Sequence, residues 1–245
     1  MKTYIPDYYN EFRCIAGKCR HSCCIGWEID IDDASLRRFR EDPLVSPYID
    51  IDGSGNARMK LTEDERCPLL RSDGLCELII RRGEKSLCDI CRDHPRYRGF
   101  FTDRIELGLG LVCEEAARII LSRPHPIKLI QANDDGIGTD CPEDEAWLLG
   151  ERERLLAEVS ESGPIARFHE YLIFRHIPDA LYDGLYEERV RFIEETVDAI
   201  KKAYSASDGS ISALAETVRA WSYDAEYDDE YIPARLNELH NSLNK

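Results

Sequence analysis

The sequence predicts a mainly helical α+β protein, in which a cysteine-rich N-terminal part with short strands and hairpins packs on a C-terminal helical bundle. Three observations predict it. Nine of the ten cysteines lie between Cys14 and Cys113 and only Cys141 follows, so composition changes sharply near residue 125. Before that point, residues 27–31 and 96–112 read as strand and hairpin, with the period of two that a half-buried strand requires. After Pro142, apolar residues recur every three or four positions, the period of an amphipathic helix. The expected division is 1–125, cysteine-rich, and 126–245, helical.

Each element follows from local chemistry. Trp27-Glu28-Ile29-Asp30-Ile31 alternates as a short strand. Asp32 or Asp33 can cap a helix through residues 34–40, which Asp42-Pro43 stops. Residues 50–56, with Gly53 and Gly55, read as a loop, and the hairpin of 96–112 turns near Thr102-Asp103. A helix over 114–122 ends before Pro124. Beyond Pro142, Trp147, Leu148, Leu155, Leu156 and Val159 open a series of four to six helices, with breaks at 162–164, 178–184, 205–210 and 223–229. The acidic, tyrosine-rich stretch 223–231 reads as a solvated loop.

The first residues, Met1-Lys2-Thr3-Tyr4-Ile5-Pro6, hold no apolar run long enough for a signal peptide. No stretch approaches the roughly 20 apolar residues of a membrane span, so the expected compartment is the cytoplasm, away from membranes. A reducing compartment keeps thiols available for metals or catalysis rather than disulfides. With Asp and Glu at 48 against 32 Lys and Arg, the net charge is -16, which argues against nucleic acid and for a basic partner, unless it serves solubility alone.

The cysteines form three groups: Cys14-x4-Cys19-x3-Cys23-Cys24, then Cys67 and Cys76, then Cys88-x2-Cys91 with Cys113 beyond. Closely spaced thiolates can converge on one soft metal centre. Iron–sulfur clusters take four cysteine ligands and structural zinc takes four Cys or His. Zinc sites come as tight Cys-x2-Cys pairs, and one such pair is present, so the irregular spacing favours iron over zinc. His21 and His94 sit inside the groups as hydrogen-bonding partners or as substitutes for a thiolate. A dithiol redox role for Cys88 and Cys91 lacks the thioredoxin-like strand and helix context. Glu106-Leu107-Gly108-Leu109-Gly110 lacks the buried strand and following helix of a nucleotide-binding loop, and its glycines are expected to let backbone approach the metal centre.

Together, Phe12-x-Cys14-x4-Cys19-x3-Cys23-Cys24-x-Gly26-Trp27, Cys67-Pro68-Leu69-Leu70, Gly74-Leu75-Cys76, Leu87-x3-Cys91-x2-His94-Pro95-Arg96 and Cys113-Glu114-Glu115-Ala116-Ala117 resemble the flagellin lysine N-methylase (FliB) family. They are also similar to the broader group of cysteine-cluster proteins described as zinc- or iron-chelating. The resemblance covers roughly residues 1–125. It implies a cytoplasmic bacterial protein with a [4Fe-4S] cluster that transfers methyl groups from S-adenosylmethionine to lysines of a protein such as flagellin. The family's members are longer, and their pattern more often has Cys-Pro at Cys113-Glu114 and Tyr or Phe at His94.

The ligand pool expected is Cys19, Cys23, Cys24, Cys67, Cys76, Cys91 and Cys113, with Cys14, Cys88 and Cys141 set aside as small buried hydrophobes. Methyl transfer to lysine needs an oriented, neutral amine. The proton acceptors expected are Tyr97, His94 and Asp93, and Arg96 would meet the cofactor carboxylate through its planar fork. Trp27 would cover the cluster. The alternative is a non-enzymatic zinc- or iron-binding accessory module whose helical half docks a partner.

Overall fold

The structure is a computed structural model that describes residues 1–136 and 138–243. It is mainly helical α+β, as expected, and divides into two compact units. One runs from Arg13 to His94; the other joins Met1–Phe12 to the chain from Pro95 onward. The division therefore falls at 12/13 and 94/95 rather than near 125. Pairing explains it: the hairpin hydrogen-bonds to the N-terminal strand, and the helix that follows it packs on the C-terminal helices.

In the smaller unit, β2 (Asp30–Ile31), β4 (Ala57–Met59) and β3 (Ile49–Ile51) form an antiparallel sheet in that order. Strand β2 is shorter than the alternation of 27–31 implied. Strands β3 and β4 pair tightly, so the expected loop shrinks to residues 52–56, where the Asp52 carboxylate accepts from Ser54 N and Asn56 N at 2.8 and 2.9 Å. Helix α1 (Asp33–Glu41) starts at Asp32, whose Oδ1 accepts from Ser35 N at 2.8 Å, and stops before Asp42-Pro43. Two short helices follow, α2 (Glu77–Arg82) and α3 (Asp89–Asp93). Their apolar core is Ile29, Ile31, Leu36, Phe39, Val45, Met59, Leu69 and Leu78.

The larger unit has a four-stranded sheet in the order β5–β6–β1–β7, formed by Arg96–Phe100, Arg104–Leu109, Lys2–Pro6 and Leu129–Asp134. Strands β5 and β6 form the predicted hairpin, turning at residues 101–103. Strand β1 runs parallel to β6 and antiparallel to β7. Helix α4 (Glu114–Leu121) carries Glu114 and Glu115 in its first turn, where the macrodipole favours anions, and buries Ala116, Ala117, Ile119, Ile120 and Leu121. It packs on α6 (Gly163–His176) and α9 (Ile211–Glu226). The bundle is completed by α5 (Glu143–Glu158), the short α7 (Ala180–Asp183), α8 (Tyr186–Ser205) and α10 (Tyr231–Leu243). Among the described residues that makes six helices after Pro142, and none is long and apolar enough to cross a membrane.

One expected break is displaced. Helix α9 continues through Tyr223 to Glu226, so the chain breaks only at 227–230. The cause is Glu226, which is buried and held by the bundle rather than solvated.

Candidate metal centre

The smaller unit gathers thiols from all three sequence groups. The Cys67 amide donates to the Cys24 carbonyl at 2.8 Å and Gly26 N to Glu65 O at 2.9 Å, with Ile25 bridged to Arg66. This short ladder sets Cys24 beside Cys67. A second ladder closes over residues 67–77: Leu70 N donates to Cys67 O, Leu70 bridges Cys76, and Glu77 N donates to Leu69 O at 2.8 Å. Its turn needs Gly74, which has a φ of 77° and whose absent Cβ would lie 3.1 Å from Gly17 Cα. Cys76 precedes α2, Cys88 precedes α3, and Cys91 lies one turn into α3.

Cys24, Cys67, Cys76, Cys88 and Cys91 all pack within the same apolar cluster. Among the described residues no disulfide forms, and all ten cysteines are thiols. Burial pushes the Cys67 thiol up to about 12, against the amide of Leu69, with Cys24, Cys76 and Cys88 adding to the rise. Burial likewise raises Cys76, opposed by the amides of Ile79 and Leu78. Cys91 donates to Cys88; that bond raises Cys91 and lowers Cys88. Cys24 is lowered to about 7 by its hydrogen bond with Cys23. Backbone N–H groups directed at sulfur and apolar walls make a site where several thiolates are costly alone and stable around a cation. The donor set therefore fits a soft metal centre. No three of these sulfurs lie within 4.8 Å of one another; among the described residues the trio that does is Asp103, Cys141 and Glu145 in the larger unit.

Of the expected ligand pool, Cys24, Cys67, Cys76 and Cys91 converge. Cys23 joins through Cys24 and is itself exposed. Cys19 hydrogen-bonds the His21 carbonyl at 3.2 Å. Cys113 belongs to the larger unit, where it precedes α4. Cys88, set aside from the sequence, is 2% exposed and sits among the converging thiols. The Cys88-x2-Cys91 spacing was the signal for it, because a residue three positions after an N-cap comes back within one turn of it.

Asp93 ends α3, 3.5 Å from Arg92, and His94 follows as its C-cap. Arg96 and Tyr97 start β5 in the larger unit. The Arg96 guanidinium lies over the rings of Phe12 and Tyr9, at 5.2 and 5.7 Å. Tyr97 lies opposite Gly108, with the Arg175 guanidinium 3.8 Å from its ring centre. A Cβ on Gly108 would sit 2.1 Å from Tyr97 Cζ, and one on Gly110 3.1 Å from Tyr227 Oη. The two glycines thus make room for tyrosines of their own unit, which corrects the expectation that they approach the metal. Burial holds the Tyr97 phenol above its usual range, and its Oη has no hydrogen-bond partner.

Beneath it lies a polar network that periodicity alone could not reveal. Glu226 accepts from Tyr171 Oη at 2.8 Å and from Ser222, with His176 Nε2 at 3.1 Å and Arg175 Nε at 3.8 Å. Burial opposes its charge, but these donors hold the carboxyl below its usual range. A second buried pair joins Arg152 to Glu106 at 2.5 and 3.0 Å, the side chains 2% and 3% exposed.

Comparison with known proteins finds partial relatives. The lysine-N-methylase of Salmonella typhimurium (strain LT2) is 27% identical over 136 residues, which is 51% of this chain and 33% of that protein. That of Salmonella choleraesuis (strain SC-B67) matches to the same extent. The flagellar biosynthetic protein FliU of Salmonella muenchen is 27% identical over 136 residues, 51% of this chain and 79% of that one. The matched region thus spans a third of the length of the two lysine-N-methylases. No family model and no solved structure matches.

Proposed function

We propose that this chain is an iron–sulfur-dependent lysine N-methyltransferase that takes its methyl group from S-adenosylmethionine and acts on a lysine-bearing protein such as flagellin. The observation that carries it is the convergence of five thiols, from three separate stretches of sequence, on one apolar-walled site. The names of the partial relatives supply the reaction. Tetrahedral zinc at about 2.3 Å from each sulfur needs sulfurs about 3.8 Å apart. The irregular spacing of the cysteines, with one Cys-x2-Cys pair, favours a polynuclear cluster over one such ion.

Three of Cys24, Cys67, Cys76, Cys88 and Cys91 would hold the cluster, leaving one iron without a protein ligand. When bound, a [4Fe-4S] cluster supplies a Lewis-acidic iron for the amino and carboxylate groups of the cofactor. Arg96 belongs to the larger unit, its guanidinium over Phe12 and Tyr9, and is assigned no part in the cluster's site. Tyr97, in the larger unit, stays protonated in its buried setting and is no proton acceptor. Removing the lysine proton then falls to Asp93 or His94 at the end of α3. The net charge of -16 attracts the lysine as its ammonium form first.

Two measurements test this. Protein purified without oxygen is expected to hold about four irons and four acid-labile sulfides per chain; stoichiometric zinc without sulfide would overturn the cluster. Incubation with methyl-labelled cofactor and flagellin should label lysines. A metal-binding module without activity is the second reading, favoured by the match to only 33% of the lysine-N-methylases, and it labels nothing.

A further inference from the structure

Phe100, Trp147 and Tyr182 are 58%, 55% and 73% exposed, in a unit whose other large rings are mostly buried or packed on its core. Contacts link the elements that carry the three. Tyr182 Oη, on α7, donates to the carbonyl of Phe100 at the end of β5, at 3.1 Å. In the turn that follows, Thr102 donates through N and Oγ1 to Glu145 on α5, at 2.9 and 2.7 Å. Trp147 stands edge-on to Tyr186 with centroids 5.2 Å apart, and α5 packs on α7.

The rim is acidic. Glu143, Asp144 and Glu151 lie four before, three before and four after Trp147, and so share its helical face. Asp179 lies three before Tyr182 and Asp183 directly after it, both paired with Arg189. Neither 143–151 nor 177–188 contains a lysine or arginine.

We propose that this aromatic face docks a lysine-bearing polypeptide segment. Ring chemistry and charge select that occupant. An ammonium group is attracted to the face of Trp and Tyr, and carboxylates around it raise the encounter rate and repel acidic chains. Glu151 is paired with Arg154, and Asp179 and Asp183 with Arg189, so it is Glu143 and Asp144 that an apolar partner would strip of water without supplying a counter-charge. The inference rests on the reading of a lysine-bearing protein as substrate and adds the surface that grasps it.

The test is fluorescence anisotropy with a labelled synthetic peptide of Lys, Ser and Gly, and a second with Glu in place of Lys. It uses the full chain without S-adenosylmethionine. The lysine peptide should bind and the glutamate peptide should not. Trp147→Ala with Tyr182→Ala should weaken binding about tenfold. Glu143→Lys with Asp144→Lys should do the same, while Glu63→Lys with Asp64→Lys, exposed residues of the other unit, should leave it unchanged. Equal losses from both charge reversals, or a wild-type chain that ignores the lysine peptide, would overturn the proposal. So would sedimentation showing a dimer that Trp147→Ala dissolves, since the face would then cover a second copy. Binding that survives while no methyl is transferred would sink the proposed reaction and leave this surface standing.

Discussion

At the scale of single residues, Gly108 shows why composition is read most safely through neighbours. Its glycine character follows from Tyr97 on the paired strand, a partner that no local spacing reveals. Gly108→Ala should destabilise the chain by about 1–3 kcal/mol through overpacking, and Tyr97→Leu in the same chain should restore most of it; urea unfolding measures both. The Arg152–Glu106 pair invites a sharper prediction. Removing one partner leaves a buried charge alone, so Arg152→Ala should cost about 3–5 kcal/mol. Replacing both with apolar residues of similar volume should cost far less, and equal losses would mean the carboxylate finds another donor. The thiols were legible as a group. Cys88 was marked by its Cys-x2-Cys spacing with Cys91, although its burial looks in sequence like that of any small apolar residue.

At the scale of elements, Asp32 joins two helices. Its Oδ1 caps α1 through Ser35 N, and its Oδ2 accepts from Asp89 N at 3.0 Å, the first amide of the helix that carries Cys91. Burial opposes its charge, but the amides of Asp89 and Ser35 hold the carboxyl at about 2, below its ordinary 3.8. A depressed carboxyl adds stability that is fully present above about 3.8 and fades as pH falls toward 2. Asp32→Ala should therefore cost about 1 kcal/mol at neutral pH and flatten the acid limb of the stability curve between those values. A curve parallel to wild type across that window would refute the role. The cap and the stop of α1 were legible, since both are local chemistry. The persistence of α9 through Tyr223 to Glu226 was not, because it depends on donors from α6: Tyr171, Arg175 and His176.

At the scale of the molecule, two separate apolar cores underlie the two units. The smaller core is built around its thiols, so metal binding should act as folding energy there. Chelation is expected to speed hydrogen exchange across residues 67–91 while α6 and α8 keep their protection; uniform loosening of both units would show that one core supports the other. The sequence by itself determined the mainly helical α+β class, the order of helices after Pro142, the hairpin around residue 102 and a thiol-rich, acidic chain. Those properties rest on period, turn chemistry and composition, each set by residues a few positions apart. Only the tertiary structure decided that the chain divides at 12/13 and 94/95, which thiols meet, why Gly108 and Gly110 lack side chains and where Glu226 finds its donors. These depend on pairing between residues far apart in sequence, whose partners are chosen by strand register and helix packing rather than by any local pattern.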